Sequence, residues 1–326
     1  KVEKEDAEGL NLLVPPYRVD VQRPCDVVED ILRIYGYNNV EIPTELKSSL
    51  TIAEEADKNY HRENIIGEQL VGAGFSEIMN NSLTKSSYYE ETGLNAYPWE
   101  ETVKVMNPLS ADLGVMRQTL LFGGLESIVR NVNRKAQNLR FFEVGNVYKF
   151  NKEKWSEESP VKAYSQDYHM ALWVTGKRVQ GSWAHPDEES TFYELKAYVE
   201  NILRRIGIAQ GSLVSEKSDN NVFDKAIALK TRAGKVLVEM GILSHKLLKS
   251  FNIDQKVYYA ELDWAGLMKA IRKNKLQFQE ISKYPAVSRD LALLVDNNVE
   301  FAQIEEIARQ ADKKLLKRVE LFDVYQ

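Results

Sequence analysis

The residues best suited to ion chemistry are Asp20, Asp26, Glu29 and Asp30. Magnesium wants hard oxygen donors, usually takes one or two carboxylates, and completes its shell with waters or a partner's ligands. The same four residues have a purely structural use. Asp26 followed three residues later by Glu29 reads as a capping box that opens a helix, and acids in a first helical turn favour the helix dipole. Spacing alone leaves both readings open, with the weight on capping. A second group, Lys313, Lys314, Lys317 and Arg318, is basic. It could contact RNA phosphates, an attraction that salt weakens, or be the solvated cationic end of a helix.

Other chemistries lack their residues. The Gly123, Gly124 pair has neither phosphate-loop nor dinucleotide-loop spacing, and no GxSxG elbow occurs. The single cysteine, Cys25, cannot close an intrachain disulfide, and thiolate zinc is excluded. His61, His169, His185 and His245 are scattered without metal-ligand spacing. No catalytic centre is visible from spacing.

The elements that must position these groups belong to a long chain. With 326 residues, and roughly 150 per domain, two or three domains are expected. The balance of 43 basic against 48 acidic side chains gives a net charge of -5, which argues against a surface coated with nucleic acid but permits a local basic patch. No run approaches the roughly 20 apolar residues of a membrane-spanning helix, and the expectation is a cytoplasmic protein. A start at Lys1 and a stop at Gln326 after an apolar run suggest a fragment of a longer polypeptide.

Along the chain, Leu10–Val14 and Tyr17–Val21 read as extended around Pro15 and Pro16. A helix from Asp26 carries Val27, Val28, Ile31, Leu32 and Tyr35 on one stripe and ends at Gly36. Residues 44–57 read as a linker. A helix through Ile65–Val71, strands at Phe75–Leu83 and Thr102–Met106, and a helix over Thr119–Arg134 follow. Strands are expected at Leu139–Val144 and Asn146–Phe150, flanking Gly145, and at His169–Val174. The clearest helix opens at a Thr191, Glu194 capping box and repeats Leu195, Tyr198, Val199, Ile202 and Leu203 at helical spacing. Strands at Lys225–Lys230, Lys235–Leu243 and Val257–Asp263, with helices near His245–Phe251 and Trp264–Arg272, point to a mainly antiparallel α+β sheet. Beyond Pro285, a strand at Asp290–Val295, a helix at Phe301–Asp312 and a strand at Val319–Tyr325 read as half of a ferredoxin-like domain.

Three motif sets carry a resemblance. Val14-Pro-Pro-Tyr-Arg-Val-Asp-Val21 with Asp26 through Tyr37 resembles the small domain ahead of the synthetase-like module in the bacterial phenylalanyl-tRNA synthetase β subunit. Asn107-Pro-Leu-Ser110, Val115-Met-Arg117 and Leu139 through Tyr148 resemble that module; Lys283-Tyr-Pro285, Arg289-Asp-Leu-Ala292 and Val319 through Tyr325 resemble the start of its anticodon-binding domain.

The resemblance implies an α+β fold: a class II synthetase-like antiparallel module at 46–275, a small α/β domain at 1–45 and a truncated ferredoxin-like domain at 276–326. It implies an α subunit as partner in a tetramer of two α and two β chains, tRNA(Phe) as a second partner, and ATP as substrate of the complex. A magnesium ion shared with α is implied at Asp20, Asp26, Glu29 and Asp30. The family's proofreading domain is expected ahead of this segment. Active class II synthetases carry an Arg two residues before a Glu on a strand; Arg140 and Glu143 are three apart and should face opposite sides. The module is therefore expected to be a scaffold that has lost the chemistry. A stand-alone nucleic-acid-binding or interaction protein is the alternative.

Overall fold

The computed structural model describes the chain apart from residues 8, 46, 47, 49–54, 210, 273, 275–277, 279, 313 and 326. The chain divides into two units, Lys1–Lys273 and Asn274–Gln326. Among the described residues no helix is long and apolar enough to cross a membrane.

The first unit begins with an antiparallel hairpin, β1 (Val2–Asp6) and β2 (Gly9–Leu12). Helix α1 (Pro24–Tyr35) follows, and Gly36 at φ 94° ends it in the left-handed region that glycine adopts at low cost. The strands sit earlier than the alternation around Pro15 and Pro16 suggests. The segment Tyr17–Val21 makes turns instead, closed by Arg18 N–H to the Pro15 carbonyl at 3.0 Å and Val21 N–H to the Arg18 carbonyl at 3.2 Å.

Next come α2 (Glu55–Gly72), β3 (Ser76–Glu77), β4 (Leu83–Thr84), a single-turn α3 (Ser87–Glu90), β5 (Val115–Met116) and α4 (Leu121–Val132). Then β6 (Leu139–Phe150) and β7 (Tyr164–Thr175) run antiparallel for twelve residues each. Gly145, expected to separate two strands, lies inside the single strand β6. Beyond β7 lie the small hairpin β8 (Lys177–Val179) and β9 (Glu188–Glu189), then α5 (Phe192–Arg205). The strands β10 (Val214–Ser218), β11 (Phe223–Lys230) and β12 (Val236–Leu243), helix α6 (His245–Ser250), strand β13 (Val257–Asp263) and helix α7 (Trp264–Ile271) complete the unit.

Seven strands form one sheet in the order β10-β11-β12-β13-β7-β6-β3. Every pairing is antiparallel except β3 with β6, so the sheet is mixed. The alternation of side chains along each strand sorts the core into two layers. Phe141, Val147, Trp173 and Tyr259 pack with α4 and α6 on one face; Phe142, Leu172, Val174 and Leu262 pack with α2, α5 and α7 on the other. The close approach of α4 needs Gly124, where a Cβ would fall 2.1 Å from Trp173 Cε2.

In the second unit α8 (Phe301–Ala311) forms as the apolar stripe demands. The flanking segments expected as strands, Asp290–Val295 and Val319–Tyr325, are not hydrogen-bonded strands here. An extended segment becomes a strand only when a neighbour completes its ladder, and among the described residues of this unit none does.

Candidate functional site

At the acidic group, Pro24 occupies the first helical position, where its missing N–H costs nothing. Helix α1 therefore starts before Asp26, and Arg23, not Asp26, is the N-cap. Asp26 still caps, but backwards: its Oδ2 accepts the N–H of Gln22 at 2.9 Å and of Arg23 at 2.8 Å. Those amide bonds bring its carboxyl down to about 2. Arg18 takes the other two aspartates. Its Nη2 donates to Asp20 Oδ2 at 2.9 Å and to Asp30 Oδ2 at 2.8 Å, while Nε donates to Asp20 Oδ1 at 3.1 Å. The bond from Arg18 holds the Asp20 carboxyl below its ordinary value. Glu29 is exposed.

Asp20 and Asp30 thus converge on one cation, and that cation is a guanidinium. Among the described residues no three His, Cys, Asp or Glu side chains stand together as a metal-binding group. As placed, the four acids do not fit ligation of a single magnesium ion.

The basic group follows the last helix. Lys313 lies outside the described residues. Helix α8 stops at Ala311, so Lys314, Lys317 and Arg318 follow the helix instead of closing its last turn. Asp312 Oδ1 accepts the N–H of Lys314 and of Leu315, each at 2.8 Å, and turns the chain there. Lys314, Lys317 and Arg318 are exposed, and Arg318 is paired with Glu320.

A third constellation escaped the sequence reading. One face of the large sheet carries charged side chains bonded to the segment just ahead of α4. Arg117 Nη1 donates to Glu143 Oε1 at 2.6 Å, and the Glu143 side chain is 1% exposed. The other carboxylate bonds come from the Asn80 N–H at 3.1 Å and Asn80 Nδ2 at 2.6 Å, and Arg117 Nε donates to the Asn146 carbonyl at 2.9 Å. Gly145 makes room for this crossing, because a Cβ there would lie 2.2 Å from Arg117 Nη2.

On the same face Glu261 Oε1 meets His169 Nδ1 at 2.8 Å, and its Oε2 accepts from Thr119 Oγ1 and Tyr259 OH, each at 2.6 Å. Burial pushes the Glu261 carboxyl up, but the bond and charge of His169, with the bonds from Thr119 and Tyr259, outweigh it and leave the group below its ordinary value. Burial likewise opposes the charge on His169, and Glu261 overcomes it, so the imidazole is raised. Charged residues are rarely buried unpaired, and their partners are remote in sequence, so no local pattern announces them. The one available signal was strand parity at 140 and 143. Arg140 does face away from Glu143: its Nη2 donates to Glu194 Oε1 of α5 at 3.0 Å on the opposite face.

This architecture can be set beside known proteins. Residues 42–264 match the family model described as phenylalanyl tRNA synthetase beta chain CLM domain. The chain belongs to the phenylalanyl-tRNA synthetase beta-chain family. Within that family, the acidic group lies in the stretch 1–37, which matches the tRNA synthetase B5 domain, and the basic group in 282–326, which matches a ferredoxin-fold anticodon binding domain. The Arg117–Glu143 and His169–Glu261 pairs lie in the stretch that matches the beta-chain CLM domain. Relatives called phenylalanine--tRNA ligase beta subunit are 59% identical in Bacteroides thetaiotaomicron and 48% identical in Porphyromonas gingivalis, each over the whole of this chain. The chain spans 40% of the length of each of these relatives. A pyrrolysyl-tRNA synthetase from Desulfitobacterium hafniense superposes with TM-score 0.48 at 13% identity, over 66% of this chain and 69% of that one, too loose to add weight.

Proposed function

We propose that this beta-chain segment acts within phenylalanine–tRNA ligase as a non-catalytic scaffold. It pairs with the α subunit, in a tetramer of two α and two β chains, and helps to hold tRNA(Phe) while the complex attaches phenylalanine at the expense of ATP. In this reading residues 46–275 are the synthetase-like module, 1–45 the small domain ahead of it and 276–326 the start of the anticodon-binding domain, all in the cytoplasm.

The observation that carries the scaffold role is the filled face of the sheet. Arg117, Glu143, His169 and Glu261 satisfy one another there. The cavity lined by Asn80, Arg117, Thr119 and Glu126 has a volume of about 50 Å³, room for a few waters. A small-molecule site needs on the order of 300–1,000 Å³. Arg140, which would have to face a nucleotide beside Glu143, is turned to the other side and bound to Glu194.

For the magnesium ion we propose Asp20, Asp26, Glu29 and Asp30 as the donor region, on the condition that Arg18 first releases Asp20 and Asp30.

The test is ATP–pyrophosphate exchange and gel filtration. The full-length β chain alone should give no phenylalanine-dependent exchange and should co-elute with α when mixed. Exchange by β alone would refute the scaffold role, and separate elution would refute the pairing.

A further inference from the structure

At one end of the large sheet, Leu139 of β6, Thr175 of β7 and Val257 of β13 lie in register side by side. Two helices of one face deliver the chain to this rim: residues 133–138 lead from α4 into β6, and residues 251–256 lead from α6 into β13. The two connections are stitched together. Gln255 Nε2 donates to the Gln137 carbonyl at 2.9 Å and to Thr175 Oγ1 at 2.7 Å, and Thr175 Oγ1 donates to the Lys256 carbonyl at 2.6 Å. Each helix leaves through the same left-handed cap, at Lys135 (φ 69°) and at Asn252 (φ 55°). The caps are closed by Ala136 N–H to the Asn131 carbonyl at 3.1 Å and Ile253 N–H to the Leu248 carbonyl at 3.0 Å.

The rim is basic in a chain whose net charge is -5. Residues 127–139 and 245–257 hold Arg130, Arg134, Lys135, Lys246, Lys249 and Lys256 against one acid, Asp254. All six cations are exposed, and no hydrogen bond or ion pair ties their side chains to another described residue. Cations near helix C-termini complement the dipoles, but each helix end offers only about half a negative charge, so a surplus of five is far more than two helices call for.

The composition of the surface selects its partner. Neither stretch exposes a large apolar side chain, whereas a protein interface is centred on apolar and aromatic anchors. Between the cations stand the amides Asn133, Asn138 and Asn252, a side-chain type that donates to phosphate and sugar oxygens. Cations in surplus with amide donors among them suit a sugar-phosphate backbone.

We infer that this rim binds the phosphates of an RNA backbone, as a further contact for the tRNA held by the complex. The inference rests on the proposed role in holding tRNA and adds a contact carried by the first unit of the chain.

The test is filter binding of labelled tRNA(Phe) to the tetramer of full-length α and β chains over a range of salt, for wild type and for the triple variant Arg134→Gln, Lys135→Gln, Lys256→Gln. Loss of three phosphate contacts should weaken binding at least about tenfold at physiological salt and reduce the slope of log K against log salt by about two to three. Non-cognate tRNA should lose the same factor, because backbone contacts carry no sequence information. The charge-keeping variant Arg134→Lys, Lys135→Arg, Lys256→Arg should keep both the affinity and the slope, and the unfolding temperature of neither variant should fall. A triple glutamine variant with wild-type affinity and slope overturns the inference while leaving the tRNA role intact. So does a loss confined to tRNA(Phe), or a variant that no longer co-elutes with α, which would make the rim a protein interface. A wild-type tetramer that fails to bind tRNA overturns the tRNA role itself, and the inference with it.

Discussion

Replacing Arg117 by methionine keeps most of the volume and the hydrocarbon stem but removes the cation from a sealed site. Glu143, at 1% side-chain exposure, would keep its two bonds from Asn80 and lose its only positive partner among the described residues. The Arg117 bonds to the Asn146 carbonyl at 2.9 Å and the Asn80 carbonyl at 3.3 Å go as well. Breaking a buried pair from one side costs about 3–5 kcal/mol, because an uncompensated charge stays in a low dielectric. At about 2–4 °C per kcal/mol for a unit of this size, the unfolding temperature should fall by about 10 °C. Glu143→Leu alone strands Arg117 instead and should cost a similar amount. Removing both charges together should cost much less than the sum, with a coupling of about 2 kcal/mol or more in a double-mutant cycle run by urea denaturation. A loss under about 1 kcal/mol for Arg117→Met, or additivity of the two changes within about 0.5 kcal/mol, would show that the pair does not hold the face together.

The His169–Glu261 pair predicts a pH window. Glu261 sits below its ordinary value, so its contribution to stability is present above its unfolded value of about 4.3 and is lost as pH falls through the folded one. His169 is raised, so its contribution is full below about 6.5 and is lost as pH rises through the folded value. The stability gap between wild type and His169→Gln should therefore be widest near pH 5–6 and narrow on both sides; a gap still growing at pH 9 contradicts the pairing. At the acidic group, Arg18→Gln frees Asp20 and Asp30, so manganese binding followed by electron paramagnetic resonance should tighten about fivefold. Unchanged binding in Arg18→Gln would remove the case for a metal there.

What could be read in advance was local. Helix α5 was legible because Thr191 offers its oxygen to the Glu194 N–H and the apolar residues return every three or four positions. Even there the reciprocal half of the box fails, because the Glu194 carboxylate is drawn to Arg140 across the core. Helix α1 was legible by its stripe, but its start was misplaced, since Pro24 and Asp26 can both open a helix and only the backbone decides which does. Sheet order depends on pairings between remote segments: β13 lies between β12 and β7, and β3 joins β6 in parallel. The buried ions were hidden for the same reason. Arg117 and Glu143 look like surface charges until β6 and the segment before α4 are brought together.

The two rims of the large sheet bear on how the protein behaves when concentrated. At one rim β3 is two residues long; at the other β10 presents Glu216 and Lys217 on an exposed edge. A short or charged edge gives a foreign strand little to zip onto. Neither terminal strand is thereby a good template for strand-by-strand growth, which leaves the helices and loops as surfaces that can pair and come apart again without unravelling the fold.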